Sequence, residues 1–195
     1  MKKSLGVKTL ACPTPLWVVG TYDSEGKPNV MTIAWGGICC SKPQSVNISL
    51  RKATYSYSNI IDRKAFTINI PSEKYAKEAD YFGIATGSKT NKFADTGLTP
   101  LKSDLVDAPY IKEFPLILEC KMTHNTEIGT HTLFVGEIID VKADESVLGE
   151  NGLPDINKVQ PVLFAPEVRT YHGIGKTLGK AFSMGKEIQG LNNKS

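Results

Sequence analysis

Apolar and polar residues alternate over short stretches of this chain, a period of two that predicts β-strands. Residues 16–21 (LWVVGT) predict a first strand. The following YDSEGKP, residues 22–28, supplies Asp, Ser and Gly for a hairpin connection, and strand character resumes over 30–35 (VMTIAW). Gly36 and Gly37 predict a break, Ser41, Lys42 and Pro43 a turn, and residues 46–50 another alternating strand. Strands joined in this way predict a meander of adjacent antiparallel strands.

Further along, residues 58–63 predict a short helix and residues 65–70 (AFTINI) a fourth strand, ended by Pro71. Ser72 is placed to cap a helix reaching Ile84, with Tyr75, Ala79 and Phe82 at helical spacing. Residues 85–101 are polar and glycine-bearing, which predicts an ordered loop with one helical turn near 91–95. Two longer strands are predicted over 115–125 and 131–141, with Gly129 in the turn between them. Gly136 inside the second predicts a bulge or a close backbone approach. Short strand-like pieces at 161–164 and 170–174 precede a glycine-bearing tail, residues 176–195, expected to be an arm or partly disordered. About seven strands and two helices, without a repeat or an internal boundary, predict one domain over residues 1–195. Its class is mainly β with some α, an antiparallel barrel with a few flanking helices.

Composition narrows the function classes. The 195 residues are 41% hydrophobic, enough for one domain with a real core. The 23 basic and 20 acidic residues are interspersed, and aromatics make up 8%, so neither a basic face nor a stacking platform points to nucleic acid. No apolar run approaches the roughly 18 residues of a membrane span, and the Met-Lys-Lys start lacks a signal-peptide core. A cytoplasmic location is the expectation. The four cysteines form no CxxC and the three histidines no helical pair, so no metal site is expected. The cysteines read as small apolar residues of a reduced compartment, with Cys39 and Cys40 set apart by their place in the central segment.

That central segment, residues 29–56, carries the candidate chemistry. Arg51 is followed within five residues by Thr54 and Ser56, a cation and two hydroxyls suited to a phosphate monoester. A helix starting just beyond would aim its free amides at the same anion. Arg51 reads equally as a surface ion-pair partner, Thr54 and Ser56 as helix caps, and Trp35 as a core or interface residue. Lys89 and Lys92 in the polar loop offer either a further phosphate contact or two solvated lysines.

Five segments in this order resemble the flavin reductase-like, flavoredoxin-type proteins of the FMN-binding split-barrel superfamily. They are PNVMTIAWGG, CSKPQSVNISLR with its Ser-x-Pro turn, RKATYSYSNI, TGSKTNKF and GTHTLFVGEIIDV, and the likeness runs over about residues 8–175. The resemblance implies a split β-barrel, a homodimer, and one FMN per subunit near the dimer interface. Carried over residue by residue, it implies that Met31, Thr32, Ala34 and Trp35 lie along the isoalloxazine, with Asn29 in the same cofactor set. Cys39, Cys40 and Ser41 would close over the ring. Leu50 and Arg51 would lead to the phosphate, held by Arg51 and Ser56 with help from Thr54 and Lys92. His131 is the candidate catalytic residue, its other reading a structural or interface histidine. The family often carries Asp immediately before this histidine, where the chain has Thr130.

With FMN as cofactor the redox step belongs to the flavin, so no acid–base triad is required. Three function classes follow. The first is a reductase that takes electrons from NADH or NADPH and passes them through bound FMN to a small acceptor. The second is a flavoredoxin-type carrier serving a redox partner protein. The third is a binding module without redox chemistry.

Overall fold

The computed structural model describes residues 1–189. Their main strands are β2 (Trp17–Tyr22), β3 (Pro28–Ile33), β4 (Gly36–Ser41), β5 (Gln44–Leu50), β6 (Ala65–Ile70), β9 (Leu116–Ile128) and β10 (His131–Ala143). These form one antiparallel sheet in the order β3-β2-β6-β9-β10-β5-β4. Short strands complete the set. β1 (Thr14–Pro15), β11 (Leu163–Ala165) and β12 (Thr170–His172) make a three-stranded sheet, and β7 (Pro100–Lys102) pairs with β8 (Pro109–Ile111). The α-helices are α1 (Tyr55–Arg63), α2 (Ala76–Ile84), α3 (Lys92–Thr96) and α4 (Ile156–Val159). None of the helices is long and apolar enough to cross a membrane.

The sheet coils into an antiparallel split barrel with a core on each side of its most buried strands. Inside, Val19, Ile48, Phe66, Ile68, Cys120 and Phe134 pack together; outside, Val18, Ala79, Phe82, Ile111, Phe114 and Ile117 form a second cluster under α2, α3 and the 98–114 segment. Strand β2 therefore buries both faces, which is why Val18 and Val19 are adjacent apolar residues rather than alternating ones. Gly136 sits where the prediction requires. A register shift falls at Val135/Gly136, and a Cβ on Gly136 would stand 2.4 Å from Phe66 Cζ inside the barrel.

Three expectations are corrected. Gly36 and Gly37 do not break the chain but open β4; Gly36 is small because a Cβ there would lie 2.8 Å from the Trp17 ring. The strands are not a simple meander, since β3 and β4, joined by Ala34 and Trp35, lie at opposite ends of the sheet. The helix expected from Ser72 is split into a 3-10 turn, Glu73–Tyr75, and α2, and Ser72 makes no side-chain cap. The helical turn near 91–95 is α3, with Asn91 Oδ1 accepting from the Ala94 amide at 3.3 Å. Of the tail, residues 176–186 are exposed and a 3-10 turn spans Met184–Gln189; residues 190–195 lie outside the described residues.

Candidate functional site

The first half of β3, the start of α1 and the 82–92 segment enclose a cavity of about 220 Å³. Asn29 and Ser56 are both buried, and Asn29 Nδ2 donates to Ser56 Oγ at 2.9 Å. No side chain caps α1. Thr54 stands at the cap position, but its hydroxyl turns back to donate to the Arg51 carbonyl at 2.9 Å; the Tyr57 amide bonds the Thr54 carbonyl, and the amides of the cavity-lining residues Tyr55 and Ser56 have no partner among the described residues. Gly87 fits against this floor because it has no side chain: a Cβ would fall 2.1 Å from Asn29 Oδ1.

Lys92 is the charged side chain lining this cavity. It is 4% exposed, and its Nζ donates to the Val30 carbonyl at 2.7 Å and the Phe82 carbonyl at 2.9 Å. An ammonium has three donors, so one remains for the cavity. Burial pushes its pKa down to about 8. An uncapped helix start beside a buried cation is a place for an anion.

Met31 and Thr54 also line a second cavity of about 220 Å³, so the two adjoin. Its walls are Thr32, Ile33, Ala34 and Trp35 at the end of β3, Ser49, Leu50 and Arg51 at the end of β5, and His131 and Phe164. The lining is mainly apolar, with Arg51 and His131 as its ionisable groups. Arg51 is exposed and pairs with no carboxylate among the described residues. His131 is half-buried, with Nδ1 3.0 Å from the Oγ1 of Thr130, the residue immediately before it. The Thr32 hydroxyl donates to the Ala79 carbonyl of α2 and is thereby committed away from the cavity.

Of the residues singled out from sequence, Asn29, Met31, Thr54, Ser56 and Lys92 meet around the first cavity. Met31, Thr32, Ala34, Trp35, Leu50, Arg51, Thr54 and His131 meet around the second. Cys39, Cys40 and Ser41 line neither; they are exposed on β4 at the edge of the sheet. Lys89 is exposed as well. Sequence reasoning missed Phe164, which reaches the site from β11, and Gly87, whose only signal was a glycine in a polar loop.

Comparisons with known proteins point to one family. The family described as "Flavin reductase like domain" matches residues 9–173. A flavoredoxin of Desulfovibrio vulgaris (Miyazaki F) is 59% identical and superposes with a TM-score of 0.92, covering 95% of this chain and 100% of that one. The flavoredoxin from Methanosarcina acetivorans is 29% identical with a TM-score of 0.86, covering 96% and 98%. A protein of Archaeoglobus fulgidus is 36% identical over 131 residues, 67% of this chain and 73% of its own length. With the family match spanning most of the chain and its two adjoining cavities built on the matched segments, this protein belongs to the flavin reductase-like family.

Proposed function

We propose that this protein binds FMN and serves as an electron-transfer flavoprotein of the flavoredoxin kind. The observation that carries the reading is the pair of cavities sharing Met31 and Thr54, one lined mainly by apolar residues, the other ending on an uncapped helix start with a buried lysine. A planar ring joined to a phosphate through a short chain matches those two chemistries in that order. Ser56, Lys92 and the first amides of α1 would hold the phosphate, with Arg51 beside Thr54 adding charge from the second cavity. Met31, Ala34, Trp35, Leu50 and Phe164 would shelter the ring. With the Thr32 hydroxyl engaged by Ala79, backbone groups of residues 31–35 would meet the ring's polar edge.

When bound, FMN supplies the redox chemistry; the protein binds it, orients it and excludes water from part of its surface. The 59% identity to a flavoredoxin supports the carrier role. A second reading, a reductase using NADH or NADPH, is supported by the family match and by His131 at the rim of the ring cavity. A homodimer belongs to the same proposal: the exposed N-terminal stretch and tail present Leu5, Val7, Leu10, Leu178 and Phe182, apolar residues that a second copy would cover.

The test is the visible spectrum of the protein after incubation with FMN, followed by anaerobic addition of NADH and NADPH. Flavin bands that persist with both nucleotides and bleach with a protein electron donor are expected. Rapid bleaching by a nicotinamide would move the assignment to the reductase, and failure to retain any flavin would overturn both.

A further inference from the structure

Outside the two cavities, β4 carries adjacent cysteines, Cys39 and Cys40, both exposed. In a regular strand successive side chains point to opposite faces, which holds neighbouring thiols apart. Strand β4 is not regular here. Ile38 pairs with Val46 and Cys40 with Ser45, so the register shift between Ile38 and Cys40 leaves Cys39 as the extra residue of a bulge. The strict alternation is thus interrupted where the chain has two sulfurs in a row. β4 is also the last strand of its sheet, so its outer edge has no ladder to disturb among the described residues when the two thiols turn toward one ligand. Cys40 Sγ donates to the Lys42 carbonyl at 3.3 Å, and no hydrogen bond holds the Cys39 thiol among the described residues.

We propose that Cys39 and Cys40 form a two-sulfur site for trivalent arsenic species. Soft thiolate pairs select soft acceptors, and the second As–S bond is favoured because the second thiol is held on the neighbouring residue. In the binding step two As–S bonds form, the two thiol protons pass to the oxygen of the arsenoxide, and that oxygen leaves as water. Arsenic stays trivalent and no electrons are transferred. The other two sulfurs do not compete: Cys12 is exposed but single, and burial pushes the Cys120 thiol up to about 12. The site lies outside both cavities and does not depend on a bound flavin.

The test is titration of the purified, reduced protein with phenylarsine oxide, counting thiols with a chromogenic disulfide reagent and weighing the intact protein. The three exposed cysteines should react in the native protein, Cys120 only after unfolding. One equivalent of phenylarsine oxide should remove two of the three reactive thiols, leave Cys12, and add one phenylarsenic group that survives gel filtration and is released by a small dithiol. Cys39→Ser and Cys40→Ser should each lose that retention, and Cys12→Ser should keep it. Retention by either single variant, loss in Cys12→Ser, or an unchanged count of three reactive thiols after one equivalent would overturn the proposal. So would a native count of one, which would mean that β4 is covered.

Discussion

Asn29 Nδ2 donates to Ser56 Oγ at 2.9 Å, tying the start of β3 to the first turn of α1 in a buried contact. The two elements that line the first cavity are therefore positioned by each other. Replacing Ser56 with Ala leaves the Asn29 amide without its acceptor and removes a hydroxyl from the cavity, a loss of about 1–3 kcal/mol. Ser56→Ala is expected to bind FMN roughly 10-fold more weakly or worse, read by quenching of flavin fluorescence. Unchanged affinity would place the phosphate elsewhere.

Arg51 carries a charge with no described acidic partner at the edge of the ring cavity. Arg51→Ala should weaken FMN by about 1.5–3 kcal/mol, the contribution of a charge-assisted contact, and leave riboflavin binding nearly unchanged. Equal losses for both ligands would show that Arg51 does not meet the phosphate.

The lowered pKa of Lys92, about 8, makes phosphate binding pH-dependent. A bound dianion raises that pKa, so affinity for FMN should be full below about pH 8 and fall above it, while riboflavin affinity stays flat. Lys92→Met should flatten the FMN profile. The same depression acts on folding: the unfolded chain holds this proton up to the model-peptide value of 10.5, so Lys92 contributes stability that rises with pH between about 8 and 10.5. A denaturation series across that range, in wild type and Lys92→Met, checks the sign.

Glu119 is fully buried near the start of β9, and Lys142 Nζ reaches its Oε2 at 2.9 Å and Asp140 Oδ2 at 2.8 Å. Both carboxylates hold the Lys142 ammonium well above its ordinary range. Lys142→Met should cost about 3 kcal/mol of stability, because it strands a buried charge, and adding Glu119→Gln should recover part of it. Urea denaturation of the single and double variants reads both effects.

Much of the barrel is legible in the sequence because alternation is a local property. β3, β5, β6, β9 and β10 announce themselves, whereas α1 starts at Tyr55, three residues ahead of the expected 58–63, and without the side-chain cap expected of Thr54 or Ser56. What escapes is set by distant packing. Nothing near Gly36 says that Trp17 will cover it and make the segment a strand, and nothing near Phe164 says that β11 will fold back beside residues 31–35. From its polar loop Lys92 reads as either a phosphate contact or a solvated lysine, whereas the carbonyls of Val30 and Phe82 hold it inside. Thr32 lies in the expected place with its hydroxyl turned the other way, a choice made by Ala79.

The connection from β3 to β4 crosses the full width of the sheet order with only Ala34 and Trp35, and the Trp35 carbonyl is held by the Ser49 amide at 2.9 Å. Those two residues also wall the ring cavity. The latch of the barrel and a wall of the cavity are thus one piece of chain, so opening the seam would displace that wall and a ligand resting on it would hold the seam shut. Exchange of the Ser49 amide proton with solvent is the place to watch that coupling, slowing as the cavity fills.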